Sequence, residues 1–116
     1  MDVLIVDDSK FQRSQIQSMI EEKGNNCLLA SDGLEALEVI ENNKGKIDII
    51  FTDLLMPVMD GVEFLKTLKE NNNEIKVVVI SANIQKPVKE ECLNLGAAGF
   101  INKPVEPDLL DKYLLT

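Results

Sequence analysis

Five short apolar runs alternate with five segments of helical periodicity, and this alternation constrains the fold more than any other feature of the sequence. The apolar runs occupy residues 3–6, 27–30, 47–51, 77–80 and 99–101. Each run has the length of a buried strand, and the segment after it has apolar residues three or four positions apart, as in an amphipathic helix. Because strands that alternate with helices pair in parallel through right-handed crossovers, the pattern predicts a parallel sheet covered by helices on both faces.

The ends of the helical segments carry residues that commonly start or stop a helix. Gly24, Gly45 and Gly96 follow the first, second and fourth segments, where glycine often terminates a helix. Either Asp32 or Gly33 is placed to cap the second helix. The predicted order of elements is therefore strand then helix, five times over.

The expected fold is α/β, a doubly wound (βα)5 three-layer sandwich. For five strands in 116 residues, the flavodoxin-like strand order 2-1-3-4-5 is the common solution. It places strand 1 beside strand 3, with ligands at the carboxyl ends of these strands. A chain of this length, with 45% hydrophobic residues, is ordinary for one globular unit, so we expect residues 1–116 to form a single domain.

Charge and residue types exclude several classes of function. Twelve basic and twenty acidic residues give a formal net charge of −8, which repels phosphate backbones and anionic lipids. We therefore expect neither direct nucleic-acid binding nor membrane insertion. Because the chain contains no His and no CxxC pattern, zinc sites, Ser-His-Asp triads and Cys-His nucleophile pairs are also excluded.

The beginning and end of the chain and its two cysteines give further expectations. The start, MDVLIVDDS, has four consecutive apolar residues and no basic segment, so it predicts neither a signal peptide nor a membrane span. We expect a cytoplasmic location.

Cys27 and Cys92 lie in apolar segments, which favours buried free thiols over a disulfide. Nothing follows the fifth predicted helix, so we expect output through a protein partner rather than an attached DNA-binding or enzymatic domain.

Polar residues follow four of the five strands, at the edge where this fold binds ligands. They are Asp7 and Asp8 after strand 1, Thr52 and Asp53 after strand 3, Ser81 after strand 4, and Asn102, Lys103 and Pro104 after strand 5. Taken alone, Asp8 or Ser9 is better explained as the cap of the first helix. Taken together, the set brings three carboxylates, one lysine and one serine hydroxyl to a single edge.

Three of these residues predict a metal site. If strands 1 and 3 are neighbours, Asp7, Asp8 and Asp53 converge, and two such charges about 4 Å apart repel by roughly 4 kcal/mol at an effective dielectric of 20. Lys103 supplies one compensating charge, and a bound divalent cation would supply the rest. Oxygen ligands without His or Cys favour Mg²⁺, Mn²⁺ or Ca²⁺ over zinc.

The same residues are the parts that phosphoryl transfer needs. The transition state spreads charge over the phosphoryl oxygens, which the protein must position and neutralise. Asp53 can act as the nucleophile and form an acyl phosphate, while Lys103 and the Ser81 hydroxyl would contact phosphoryl oxygens. The chain has no Gly-rich phosphate loop, so a nucleotide is not the obvious donor.

Four motifs in order along the whole chain resemble the receiver domain of two-component response regulators, the fold of the single-domain chemotaxis regulators. The motifs are IVDDS at 5–9, TDLLMPVMDG at 52–61, ISAN at 80–83 and GFINKP at 99–104. The resemblance implies that Asp53 accepts a phosphoryl group from a phosphohistidine on a sensor histidine kinase or phosphotransfer protein. A downstream protein target, and a phosphatase that removes the group, are further implied partners.

The family pattern also implies which residues bind Mg²⁺, or Mn²⁺ in its place. Asp8 and Asp53 match the carboxylate ligands, and Leu55 matches the residue whose backbone carbonyl is a further ligand. Asp7 matches the acid that acts largely through metal-bound water. Leu55 and Asn83 also match variable positions that tune the lifetime of the acyl phosphate.

The resemblance further implies a conformational switch. Ser81 matches the switch hydroxyl, Phe100 the switch aromatic, and Lys103 the lysine that pairs with the phosphate. On phosphorylation, Ser81 would move toward the phosphoryl group and Phe100 would turn inward, changing the face formed by helix 4, strand 5 and helix 5. The bond between Lys103 and Pro104 is expected to be cis.

Two other classes of function remain as alternatives. A receiver-like adaptor would bind partners without being phosphorylated, although every acceptor residue is present. A flavodoxin-type FMN carrier shares the fold, but acids stand where the flavin phosphate would sit. Two other families with similar motifs are rejected on individual residues. Leu55 and Pro57 stand where an EF-hand needs oxygen ligands, and Leu55 stands where haloacid dehalogenase phosphatases have their second Asp. We therefore expect a phosphoacceptor signalling domain that catalyses only its own phosphorylation and dephosphorylation.

Overall fold

The computed structural model describes residues 1–82 and 84–114, within which five strands and five helices alternate. The elements are β1 (Asp2–Val6), α1 (Lys10–Glu22), β2 (Asn26–Ala30), α2 (Gly33–Asn42), β3 (Ile49–Thr52), α3 (Gly61–Glu70), β4 (Lys76–Ser81), α4 (Lys86–Asn94), β5 (Gly99–Asn102) and α5 (Pro107–Asp111). All strand pairs are parallel, in the order β2-β1-β3-β4-β5. The predicted doubly wound α/β fold and its flavodoxin-like strand order are confirmed.

The pairing register of the central strands determines which residues meet at the carboxyl edge of the sheet. In the β1–β3 pair, Val6 lies opposite Thr52. The next residues, Asp7 and Asp53, therefore leave the sheet at the same level. Their backbone N–H groups are used in the sheet itself, because Asp7 donates to the Ala30 carbonyl at 3.1 Å and Asp53 donates to the Val6 carbonyl at 2.9 Å.

Two apolar layers, one on each face of the sheet, hold the helices in place. Because side chains alternate along a strand, Val3 and Ile5 of β1 pack with α1 and α5, while Leu4 and Val6 pack with α2, α3 and α4. All four residues of β3 are buried. This central strand is covered on both faces, as its unbroken apolar pattern predicts.

The starts of two elements can be compared with the sequence predictions: the start of β3 differs from its prediction, and the cap of α2 is one of the two predicted residues. The third strand begins at Ile49 rather than at residue 47. Just before it, the Asp48 N–H donates to the Asp2 carbonyl at 2.8 Å, and the Asp48 side-chain Oδ2 accepts a hydrogen bond from the Asp2 N–H at 2.7 Å. Asp32, and not Gly33, caps α2 by accepting a hydrogen bond from the Glu35 N–H at 2.8 Å. Both elements therefore start where a side chain competes for the backbone.

The two cysteines are free thiols with different exposure. Cys92 is buried, as predicted, but Cys27 is only half-buried because it lies on β2, at the edge of the sheet. Burial, together with the charge of Glu21, raises the pKa of the Cys27 thiol to about 11. Both thiols are therefore protonated at neutral pH. No helix in the described residues is both long and apolar enough to cross a bilayer.

Candidate functional site

Asp53 is the first residue after β3, and its carboxylate is nearly enclosed. Only 9% of the residue is exposed. Its Oδ1 accepts a hydrogen bond from the Leu54 N–H at 2.7 Å, and its Oδ2 accepts one from Lys103 Nζ at 2.9 Å. The buried Thr52 hydroxyl donates to the Asp53 carbonyl at 2.9 Å. Both carboxylate oxygens and the backbone of Asp53 are therefore held in one orientation.

The start of α3 packs directly against the Asp53 backbone. A side-chain Cβ on Gly61 would lie 2.4 Å from the Asp53 carbonyl oxygen and 2.8 Å from the Leu54 Cα. The Gly61 N–H instead donates to the Leu54 carbonyl at 2.8 Å. Glycine is therefore needed at position 61, where the motif at 52–61 ends and α3 begins. The sequence pattern alone did not predict this constraint.

Asp7 and Asp8 come from the end of the neighbouring strand, β1, and have different surroundings. Asp7 is 2% exposed, and its Oδ1 accepts a hydrogen bond from the Ser9 N–H at 2.9 Å. Asp8 is exposed to solvent. Carboxylate oxygens of Asp7, Asp8 and Asp53 all lie within 4.8 Å of one another. The structure thus brings together the three acids that the strand order predicted to converge.

The Lys103 ammonium joins the acids from the opposite side. Its Nζ donates to Asp7 Oδ2 at 3.1 Å and to Asp53 Oδ2 at 2.9 Å, and it also donates to Gln12 Oε1. Burial lowers the pKa of Lys103, but hydrogen bonds and charge from Asp53 and Asp7 outweigh it, so the pKa lies above its ordinary value. Three carboxylates and one ammonium leave two net negative charges, which fits a divalent cation with oxygen ligands.

Ser81 and Pro104 complete the rim of the site. Ser81 ends β4, is 5% exposed, and pairs in register with Asn102 of β5. Its carbonyl accepts a hydrogen bond from the Lys103 N–H at 3.0 Å, so the serine and the lysine are connected through the backbone. The Lys103–Pro104 peptide bond is cis in the structure.

A family model described as the response regulator receiver domain matches residues 3–115. The chain belongs to this family. Receiver domains are the regulatory phosphoacceptor modules of two-component systems and work with sensor histidine kinases. They bind a divalent metal at an acidic pocket, and the cluster of Asp7, Asp8 and Asp53 has that character.

Two relatives of this receiver domain are much longer proteins. The sensor histidine kinase RcsC of Salmonella typhimurium is 33% identical over 114 residues, which cover 98% of this chain and 12% of the kinase. A protein-glutamate methylesterase/protein-glutamine glutaminase of Clostridium acetobutylicum is 39% identical over 117 residues, covering 95% of this chain and 32% of that enzyme. The chain therefore spans less than a third of the length of each of these relatives.

Solved receiver structures show the same fold. A chain in the complex of CheX and CheY with BeF3 and Mg²⁺ from Borrelia burgdorferi has a TM-score of 0.90 and 33% identity, with 99% of this chain and 90% of that chain covered. The chemotaxis protein CheY4 of Vibrio cholerae has a TM-score of 0.88 and 31% identity, with 97% and 93% covered.

The remaining predicted site residues of the receiver domain lie on β5, in the loop after β3 or outside the described residues. Phe100 is half-buried on β5, packs against the core beside α4, and has the Lys89 Nζ 5.2 Å from its ring centroid. Leu55 lies in the loop after β3, two residues beyond Asp53, with 81% of its residue surface exposed. Asn83 lies outside the described residues.

Gln12 is the contact of this receiver domain that the sequence analysis missed. It stands in the first turn of α1 and reaches Lys103, 91 residues later in the chain. The local signal pointed elsewhere, since Ser9 and Gln12 have the S-x-x-Q spacing of a helix capping box. Only the docking of α1 beside the end of β5 shows that the glutamine contacts the lysine.

Proposed function

We propose that residues 1–116 form one receiver domain that accepts a phosphoryl group on Asp53 in a Mg²⁺-dependent two-component phosphorelay. The donor would be a phosphohistidine on a sensor histidine kinase or a phosphotransfer protein. One observation carries the proposal. A nearly enclosed Asp53 carboxylate shares the Lys103 ammonium with Asp7, inside a cluster of three carboxylates within 4.8 Å.

In the transfer step, an Asp53 carboxylate oxygen attacks phosphorus, the P–N bond of the phosphohistidine breaks, and the imidazole leaves with the electron pair. Enclosure and fixed hydrogen bonds on Asp53 favour this reaction, because the nucleophile is already oriented before the donor arrives. The product is an acyl phosphate. Hydrolysis of that mixed anhydride returns Asp53 and inorganic phosphate, so the domain catalyses only its own phosphorylation and dephosphorylation.

Positive charge and hydrogen-bond donors around Asp53 would stabilise the transferred group. The Lys103 ammonium, now bonded to Asp53 Oδ2, can shift to a phosphoryl oxygen with a small movement of its flexible side chain. The Ser81 hydroxyl, at the end of the neighbouring strand β4, would donate to a second phosphoryl oxygen. Both contacts strengthen as charge develops on the phosphoryl oxygens.

The acids supply the ligands for the divalent cation. We assign direct ligation to the carboxylates of Asp8 and Asp53 and to the Leu55 carbonyl, and ligation through water to Asp7. Mg²⁺ prefers such oxygen ligands and keeps several of its waters, which fits a cluster with the exposed Asp8 at its solvent side. When bound, the cation would supply charge neutralisation of the phosphoryl oxygens. Mn²⁺ is the natural substitute.

Phosphorylation would be passed on through the face formed by α4, β5 and α5. We propose that Ser81 moves toward the phosphoryl group and that Phe100 turns inward from its half-buried position beside Lys89. This movement would change the face offered to a downstream protein. A complex with BeF3 and Mg²⁺ tests it, since an unchanged Phe100 rotamer would contradict the switch. Asn83 and the exposed Leu55 would tune how long the phosphoryl group stays.

The same proposal covers partners and location. A kinase or phosphotransfer protein, a downstream protein target and a phosphatase would bind the domain. The net charge of −8 opposes direct nucleic-acid binding and membrane insertion. A cytoplasmic location fits the free thiols of Cys27 and Cys92, since a reducing compartment keeps cysteines in that form.

Acetyl phosphate with Mg²⁺ tests the acceptor role directly. We expect intact-mass spectrometry to show a gain of one phosphoryl group on the wild-type protein, and no gain after chelation of the metal. Asp53→Asn keeps the size of the side chain and should abolish the gain. A wild-type protein that takes up no phosphoryl group would contradict the proposal and favour a receiver-like adaptor that works without phosphorylation.

A further inference from the structure

We propose that Gln12 is a positioning residue for Lys103. The side-chain amide oxygen of Gln12 is the third acceptor that holds the lysine ammonium at Asp53. This inference rests on the phosphoacceptor function proposed above and assigns a role in it to a residue of α1. Lys103 lies on the loop after β5, and its side chain is 13% exposed. Its position at the acids therefore depends on what its ammonium contacts.

The hydrogen-bond geometry of the ammonium supports this role. A lysine ammonium has three N–H donors and no acceptor. Here the three acceptors are Asp7 Oδ2 at 3.1 Å, Asp53 Oδ2 at 2.9 Å, and Gln12 Oε1. They come from the end of β1, the end of β3 and the first turn of α1. Every donor has one acceptor, so the ammonium is held from three directions.

A glutamine at this position of a helix ordinarily completes a capping box, but the structure contradicts that role for the Gln12 side chain. In a capping box, the third helical residue would accept a hydrogen bond from the N–H of the cap residue. Half of the box is present, because the Ser9 hydroxyl accepts from the Gln12 N–H at 3.3 Å. The Ser9 N–H, however, donates to Asp7 Oδ1 at 2.9 Å. Asp7 has replaced the glutamine in the cap and leaves its amide oxygen for Lys103.

The chemistry of an amide fits a contact that must survive phosphorylation. When the phosphoryl group covers Asp53 Oδ2, Lys103 exchanges that acceptor for a phosphoryl oxygen. A neutral amide keeps its own hydrogen bond without adding a negative charge that would repel the incoming phosphate. A side chain without an acceptor would leave one N–H to water and let the flexible lysine move away. Gln12 therefore fixes the ammonium before and after transfer.

The first test examines the resting protein, before any phosphoryl donor is added. In ¹⁵N-labelled protein, NMR spectra of lysine ammonium groups detect those that hydrogen bonds protect from exchange. We expect a protected Lys103 signal in the wild type, assigned by its loss in Lys103→Arg. Gln12→Met, which keeps the size and helix propensity of the side chain, should lose the protected signal. Gln12→Glu, which restores an acceptor, should keep it.

The second test measures phosphorylation. With acetyl phosphate below saturation, we expect Gln12→Met to react about tenfold more slowly than the wild type, which is the size of one hydrogen bond to a charged group. The control is Gln15→Met, since Gln15 lines the same groove beside Lys103 and Pro104 and should leave both the signal and the rate unchanged. Circular dichroism melts verify that all variants fold.

The outcomes separate this inference from the function on which it rests. A Lys103 signal that exchanges as fast in the wild type as in Gln12→Met, or equal phosphorylation rates in the two proteins, would overturn the role of Gln12 alone. Failure of the wild type itself to take up a phosphoryl group would instead contradict the phosphoacceptor function. A lost signal and a slower rate, both confined to Gln12→Met, support the inference.

Discussion

The turns at the two edges of the sheet place different residue types at positive φ. At the amino edge, the connections from helix to strand use a positive φ at Gly24, Gly45, Asn72 and Gly96, with values of 90°, 78°, 55° and 98°. Glycine and asparagine take this conformation at little cost. At the carboxyl edge, the connection from β3 to α3 places Val58 at a φ of 66°. A β-branched residue is strained there.

The two edges also differ in how deeply their charged side chains are buried. At the carboxyl edge, Asp7 and Asp53 are buried and share one ammonium. At the amino edge, Lys23 and Asp111 form an ion pair in which the aspartate side chain is 59% exposed. Strain and buried charge thus occur together, at the edge with the candidate site. This is the pattern expected where function, rather than stability, determines the residue type.

The largest expected effect compares a glycine at each edge. We expect Gly61→Ala to reduce the free energy of unfolding by about 3 kcal/mol, since its Cβ would overlap the backbone of Asp53 and Leu54. Gly24→Ala should lose only about 1 kcal/mol, because open space surrounds that Cβ and only the positive φ opposes it. Urea denaturation measures both. Equal losses would show that the carboxyl edge has no special packing constraint.

The next effect compares a lysine at each edge. Lys103→Met leaves Asp7 and Asp53 buried without a cation and should reduce the free energy of unfolding by about 2 kcal/mol in metal-free buffer. Lys23→Met should change it by less than about 1 kcal/mol, because its pair is partly exposed. Added Mg²⁺ should recover part of the loss in Lys103→Met only. Recovery of neither variant, or of both, would contradict a cation site at the acids.

Exchanging the residue types at two positions of positive φ, one at each edge of the sheet, gives smaller effects, and the two are of opposite sign. Val58→Asn should raise the free energy of unfolding by about 1 kcal/mol, because asparagine tolerates the positive φ better than valine. Asn72→Val should lower it by about the same amount. Urea denaturation of both single variants and the double variant provides the measurement. A destabilising Val58→Asn would show that contacts of the valine outweigh its backbone strain.

The smallest effect concerns the exposed acid of the cluster. In metal-free buffer, Asp8→Asn should raise the melting temperature by roughly 2 °C, since it removes one of three mutually repelling carboxylates. Mg²⁺ should raise the melting temperature of the wild type and not that of Asp8→Asn. Glu22→Gln, at an exposed acid near the amino edge, is the matched control and should keep the response to Mg²⁺. An unchanged response in Asp8→Asn would remove Asp8 from the proposed ligands.

Sequence patterns by themselves determined the fold and the approximate composition of the site. The alternation of apolar runs and helical segments implies a parallel sheet, and parallel strands bring their carboxyl ends to one edge. Asp7 and Asp53 could therefore be placed together, because each directly follows a strand and strands 1 and 3 were expected to be neighbours. These conclusions need only local periodicity and topology, which neighbouring residues along the chain encode.

Tertiary structure alone decided how the side chains at that edge are used. It buries Asp7 and exposes Asp8, although the two are adjacent in the sequence. It also directs Gln12 to Lys103 and away from the capping box that its spacing predicts, and places Val58 in a strained turn. Such contacts depend on how α1 and the loops after β3 and β5 pack in space. Residues far apart in the chain share one ammonium here, and local sequence patterns do not specify that arrangement.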